Sequence, residues 1–250
     1  MRSVQRCREF RPLVLTKPKQ AELPEGCVVN PREIDPILIN GQNTIWKRFR
    51  EIDDMETTAH VVKRGERVHL TPLQLKNLYK HFEWNNDPEL NRFDSEIPFA
   101  EESLGDFKAR FEQMVYDPSP TSRDFEIHTN DGKMIGVAYV ANISEANRHC
   151  RIGVTIGDRD YWRKGYGVES LGLLLDYCFN DLKMHRVSSE TFEYNTAWRK
   201  LVEHVGFTKE GTERDYLFRE GRYWDNEIYA LLEHEYRALE ERAAAGGVKA

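Results

Sequence analysis

Between Ile156 and Val168 the chain reads Ile-Gly-Asp-Arg-Asp-Tyr-Trp-Arg-Lys-Gly-Tyr-Gly-Val, residue types suited to holding a phosphate. Gly165 and Gly167 stand where a strand-like pattern gives way to a helical one. The first N–H groups of a helix lack partners within it, and the macrodipole adds partial positive charge at that end. Such an end attracts phosphate. Lacking Cβ atoms, Gly165 and Gly167 would let a pyrophosphate approach the main chain, and Arg163 and Lys164 would add formal charge beside it. The same two glycines also serve a plain strand-to-helix turn. Gly165 to Ser170 further imitates a dinucleotide fingerprint with serine at the third glycine, and Glu190 lies near the spacing of a ribose-binding acid. The turn alone leaves coenzyme A and nicotinamide cofactors both open.

The elements that must position this turn follow from periodicity. Val68 to Leu70 suggests a short strand, and Thr71-Pro72 then predicts a helix start, with Leu75, Leu78, Tyr79 and Phe82 on one face. A second helix carries Leu104, Phe107, Phe111 and Met114 or Val115. Phe125 to Thr129 and Met134 to Val140 flank Asn130-Asp131-Gly132, a hairpin signal. A strand from Arg151 to Ile156 leads into the glycine turn, and Val168, Leu171, Leu174, Leu175 and Cys178 form the apolar stripe of the next helix. Arg186 to Phe192 reads as a strand, Asn195 to His204 as a helix, and two strands close the domain. This order predicts a mixed α/β (α+β) fold with one strand–turn–helix crossover.

Bulk composition narrows the class. The chain has 250 residues and a formal net charge of -6, which argues against a general nucleic-acid binder. Four cysteines, Cys7, Cys27, Cys150 and Cys178, show no metal-type or disulfide-type spacing. No apolar run approaches the roughly 20 residues that cross a bilayer, so a cytoplasmic protein without a membrane partner is expected. Residues 1–65 form an extension. Its first 20 residues hold six basic groups against Glu9 alone, and Pro12 and Pro18 favour a loose basic arm over a transit peptide. Thr44 to Phe49 turns apolar and aromatic, which suggests packing on the main domain. From Arg237 onward the chain reads as charged helix that fades into Ala-Ala-Ala-Gly-Gly, and residues 237–250 are expected to form a frayed tail.

The run from Ile156-Gly157-Asp158 to Gly167-Val168-Glu169, followed by Leu174 to Phe179, resembles the coenzyme A motif of the GNAT superfamily of N-acetyltransferases. The superfamily pattern is Gln/Arg-x-x-Gly-x-Gly/Ala; Trp162 holds its first position here. His185-Arg186-Val187, Asn195, Gly206-Phe207, Glu210-Gly211, Arg214, Gly221 to Asp225, Leu232 with Glu235, and upstream Trp84 to Glu89 add matches in the same order. They resemble the branch containing ribosomal-protein N-terminal acetyltransferases and spermidine acetyltransferases, over residues 66–236.

The resemblance implies a mostly antiparallel central sheet flanked by helices, with a splayed strand at the cofactor site. It implies acetyl-coenzyme A as acetyl donor and a small amine or a protein N-terminus as acceptor, no metal, and allows a homo-oligomer. By the same resemblance Val154 and Ile156 would meet the pantetheine arm, with the Ile156 N–H as oxyanion donor, give or take one position. Arg163, Lys164, Gly165, Tyr166, Gly167 and Val168 would bind the pyrophosphate, and Asn195 would touch the cofactor, unless it only caps its helix. Glu190 is the favoured general base, with Glu193 and Glu126 as alternatives. The tyrosine that many relatives use as acid is Val202 here; Tyr194 or a water would have to replace it. Where many relatives carry a glutamate before the cofactor strand, this chain has Arg151. The alternative reading is a non-catalytic acyl-coenzyme A-binding module.

Overall fold

Residues 60–246 are described by the structure, a computed structural model; Thr44 to Phe49, the basic arm, Cys7 and Cys27 lie outside the described residues. Strands β1 (Lys63–Arg64), β2 (Val68–Pro72), β3 (Arg123–Thr129), β4 (Met134–Ser144), β5 (His149–Ile156), β6 (Arg186–Phe192), β7 (Thr208–Arg219) and β8 (Arg222–Leu232) form one sheet, in the order β1-β2-β3-β4-β5-β6-β8-β7. Every neighbouring pair is antiparallel except β5 with β6. The mixed, mostly antiparallel sheet expected from the sequence is therefore observed. Helices α1 (Leu78–Asn85), α2 (Pro88–Asp94) and α3 (Leu104–Tyr116) precede β3. Helix α4 (Tyr166–Asp176) crosses from β5 to β6 and ends in a π turn, Tyr177–Asp181; α5 (Thr196–His204) and α6 (Glu233–Gly246) follow.

The alternation of side chains assigns each face of the sheet. Ala138 and Val140 of β4 and Cys150, Ile152, Val154 and Ile156 of β5 pack with Leu171, Leu174 and Phe179 in the main core, under α4. Val137, Tyr139, Gly153 and Thr155 alternate with them and so face the other way. There, Trp84, Leu90 and Met134 form one small cluster and Leu78, Phe107 and Phe111 another, from α1, α2 and α3. The register slip between Ile127 and His128 leaves Ile135 as an extra residue on β4. This bulge is why Ile135 joins the main core while Met134 and Val137 serve the other face.

Three boundaries differ from expectation. Pro72 does not open a helix: it ends β2 opposite Phe125, and the chain turns only at Leu75–Asn77, a 3-10 turn leading into α1. Helix α2 lay hidden in a polar run, yet its start is locally encoded, because Asp87 accepts from the Glu89 and Leu90 N–H groups and Pro88 takes the first position. The charged helix read from Arg237 onward is part of α6. Helix α6 continues to Gly246, with Tyr236 stacked on Phe179 at 4.5 Å and Leu239 packed on the main core. The domain also starts earlier than residue 66, since β1 pairs with β2.

Among the described residues no helix is long and apolar enough to cross a membrane, and no group of three or more His, Cys, Asp or Glu is arranged to hold a metal. Cys150 and Cys178 are buried and free, their sulfurs 3.9 Å apart.

Candidate functional site

The strands β5 and β6 share only three register pairs, His149↔Arg186, Cys150↔Val187 and Arg151↔Ser188. Beyond them β5 stays with β4 as far as Ile156 and β6 stays with β8 as far as Phe192, so the two part. The resulting cleft has a volume of about 800 Å³. Its floor is the parted main chain of β5, one wall is the turn before α4, and the other is the start of α5.

The direction of the β5 main chain follows from its partners. The Cys150 carbonyl accepts from Ser188 Oγ at 3.1 Å, on the β6 side, and the Ile156 carbonyl accepts from Trp162 Nε1 at 2.6 Å. The Thr155 carbonyl instead lies against Gly136 of β4. Main-chain groups of successive strand residues point alternately to either neighbour, so the Ile152, Val154 and Ile156 N–H groups share the side that opens where β6 departs. Thr155 and Gly157 do not.

The turn after β5 is built for unpaired N–H groups. Arg163 has φ 56° and Gly165 has φ 84°, both left-handed, and no side chain caps the helix start at Gly165. Such a turn gathers amides into an anion-binding concavity. A Cβ at Gly165 would stand 3.0 Å from Arg67 Nη2, so its missing side chain makes room for Arg67, and its φ favours glycine. Arg67, which the sequence did not single out, fastens this turn. It donates to the Lys164 carbonyl at 2.8 Å and to Glu169 Oε2 at 2.8 Å, and its guanidinium lies over the Tyr166 ring. Burial works to raise the Glu169 carboxyl, but bonds from the Arg67 and Val68 N–H groups and the Arg67 side chain hold it below the usual range.

The predicted cofactor residues divide accordingly. Val154, Ile156, Arg163, Gly165, Gly167, Val168 and Asn195 line the cleft. Lys164 and Tyr166 do not: the Lys164 carbonyl accepts from Arg67, and Tyr166 turns its ring to Tyr161 at 4.9 Å. Asn195 does cap α5, its Oδ1 accepting from the Trp198 N–H at 3.2 Å, so any ligand contact must come from Nδ2.

The acid–base expectations need more correction. Glu190 lines the cleft but forms an ion pair with Arg151 across the point where β5 and β6 part. Glu126 is fully buried away from the cleft, bonded to His81, His128, Gln74 and Asn77. Glu193 pairs with Arg222. Val202 is wholly enclosed in the core, so its identity bears on packing rather than on cleft chemistry. Tyr194 lines the cleft, but its hydroxyl donates to the Arg92 carbonyl at 2.6 Å and accepts from Arg219 at 2.6 Å; burial pushes its pKa up. Arg219 also donates to the Ser95 carbonyl at 2.8 Å, which clasps the end of α2 over the cleft.

Two residues missed by sequence reasoning stand at the cleft's inner end. Tyr139 lies on Gly153, where any Cβ would collide with the ring, and burial, then the neighbouring Asp94, push its hydroxyl up to about 12. Asp94, at the end of α2, also lines the cleft. Neither belongs to a motif, and no local pattern marks either.

Known proteins of the same build place this geometry. Residues 67–208 match the family model described as acetyltransferase (GNAT) domain. The chain is 31% identical over 175 residues to the uncharacterized N-acetyltransferase p20 of Bacillus licheniformis, covering 68% of this chain and 96% of that one. It is 31% identical over 104 residues to the ribosomal protein uS5-alanine N-acetyltransferase of Escherichia coli, covering 41% of this chain and 53% of that one. A crystal structure of spermidine N-acetyltransferase from Vibrio cholerae, in complex with CoA and spermine, shares the fold at a TM-score of 0.62 and 23% identity, over 68% of this chain and 98% of that one.

Proposed function

This chain belongs to the GNAT acetyltransferase family and is an acetyl-coenzyme A-dependent N-acetyltransferase, and we propose that the cleft between β5 and β6 is where it transfers acetyl to a primary amine. The observation that carries this reading is the uncapped start of α4, with two left-handed residues before it, facing the gap where β5 loses its partner. The cofactor supplies an acyl thioester. The amides from Arg163 to Val168 hold its pyrophosphate, with Arg163 adding charge. The Val154 main chain holds the pantetheine arm as a strand partner would, and the Ile156 N–H stabilises the oxygen that gains charge as the amine attacks. Asn195 Nδ2 touches the arm from α5. Glu190, tied to Arg151, acts as a strut between the parting strands and not as the base. The acceptor is a small-molecule amine or a protein N-terminus.

Thiol release from acetyl-coenzyme A, followed across a panel of amines and N-terminal peptides, tests the reading. Turnover with at least one primary amine is expected, whereas tight cofactor binding with no thiol release on any acceptor would contradict it. Trp162→Phe probes the floor of the cleft. It removes the donor to the Ile156 carbonyl, so the turn should lose registry with β5. Acetyl-coenzyme A affinity is expected to fall roughly tenfold, the equivalent of about one hydrogen bond, with little change in melting temperature. Calorimetry and a thermal scan check both.

A further inference from the structure

Three glycines stand where β5 runs on without β6: Gly136 on β4, Gly153 on β5 and Gly157 just past its end. None of them has a left-handed φ, so no turn geometry calls for glycine there. A glycine within a sheet weakens it and marks a place where another group comes close. Each of the three is met by such a group. A Cβ at Gly136 would collide with the Thr155 carbonyl, one at Gly153 with the Tyr139 phenol, and one at Gly157 with the Trp84 indole.

Both rings are themselves held. Trp84, on α1, is 8% exposed and forms a buried cluster with Leu90 and Met134, against which Trp162 packs. Tyr139 is the register partner of Gly153. Its ring reaches across that glycine, which makes it the one β4 residue that lines the cleft. Between the two rings lie Val154, Thr155 and Ile156. Their ladder runs to β4 only, because the last register pair of β5 with β6 is Arg151↔Ser188. Past the strand end, the Asp158 N–H donates to the Ile135 carbonyl at 3.1 Å, again on the β4 side. On the open side no strand fixes the peptide planes. The aromatic contact at each end does so instead.

We propose that Trp84 and Tyr139 are positioning residues for acyl transfer: laid on Gly157 and Gly153, they bracket the main chain from 153 to 157 and keep the Ile156 N–H aimed at the thioester oxygen. The inference rests on the cofactor cleft proposed above. An oxyanion donor is effective when it is in place before the charge develops, and a displacement of about 1 Å costs on the order of 10²-fold in rate. A ladder cannot give that precision on the side left open for the pantetheine arm. Neither ring touches the reacting atoms; each acts through the glycine beneath it. With no Cβ in the way, the rings bear directly on the peptide groups, so the packing of α1 and β4 is passed to the β5 main chain.

The test uses the full chain and acetyl-coenzyme A isotopically labelled at the acetyl carbonyl, whose infrared stretch drops in frequency when its oxygen accepts a hydrogen bond. Bound to the wild type, the band is expected below its position in buffer. Trp84→Phe shortens the ring over Gly157, and Gly157→Ala drives a methyl group against that ring. Each should lose roughly half of the frequency shift or more, while coenzyme A affinity by calorimetry stays within about threefold of wild type. With the fastest acceptor of the amine panel, kcat should fall by about tenfold to a hundredfold at little change in the KM for acetyl-coenzyme A. Gly157→Ala keeps both rings and carries the test should Trp84→Phe fail to fold. A frequency shift retained in full by either folded variant would overturn the proposal. So would a loss of coenzyme A affinity that matches the loss of shift, because it would mark the rings as plain scaffolding. A wild-type band that stays at its buffer position with acetyl-coenzyme A bound would overturn the Ile156 donor and this inference together, and a wild type that binds no acetyl-coenzyme A would overturn the cofactor reading itself.

Discussion

Gly165→Val is expected to cut acetyl-coenzyme A affinity by about a hundredfold, because a β-branched residue at φ 84° stores on the order of 1–3 kcal/mol of strain and each 1.4 kcal/mol is tenfold in affinity. Cβ and its methyls would also push into the Arg67 guanidinium, which holds the Lys164 carbonyl and Glu169. The turn is expected to relax and carry its amides out of alignment. Gly165→Asn separates the two causes. Asparagine adopts the left-handed conformation more readily, and the Arg67 side chain, about half exposed, can move aside. Its affinity should stay within about tenfold of wild type. Calorimetry with acetyl-coenzyme A checks both variants; a folded Gly165→Val protein that binds as wild type does would remove the phosphate site from this turn.

Glu126→Gln should lower the melting temperature more than any change in the cleft. The Glu126 carboxylate accepts from the Gln74 N–H at 2.8 Å, Asn77 Nδ2 at 2.6 Å, His81 Nε2 at 3.0 Å and His128 Nε2 at 2.8 Å. It thereby ties the turn before α1 to β3. Breaking such a buried charged network costs about 3–5 kcal/mol, on the order of 10 °C for a domain of this size. Burial works to raise the Glu126 carboxyl, but His128, His81 and the Gln74 amide outweigh it and hold it below the usual range. Its stabilising effect is thus fully present above the unfolded-state value of about 4.3 and is lost as pH falls through the lower folded value. The gap in melting temperature between wild type and Glu126→Gln should be widest near neutrality and close under acid. A gap that is equal at neutral and acid pH would show that packing, and not charge, holds this corner.

Both predictions draw on residues that sequence reasoning treated unevenly. Gly165 was legible, because two glycines at the end of a strand pattern announce a turn of special geometry. The reason for it was not, since Arg67 lies 97 residues away from Lys164 in the chain. Glu126 reads from the sequence only as an alternative general base on the hairpin. Its strand is covered on that face by α1, and nothing local to residues 123–129 encodes the cover. Pro72 misled for a related reason: an edge-of-strand proline and a helix-opening proline look alike until the partner strand is known.

The sequence by itself determined the family, the crossover from β5 through α4 to β6, and the glycine turn before α4, because these depend on short-range periodicity, caps and glycine conformation. Only the tertiary structure decided which acids are free to act. Arg151 and Glu190 are 39 positions apart and Arg222 and Glu193 are 29 apart, yet each pair is joined. Pairing and desolvation are properties of the packed chain, so a carboxylate's chemistry is settled by the neighbours that folding brings to it and not by its place in a motif.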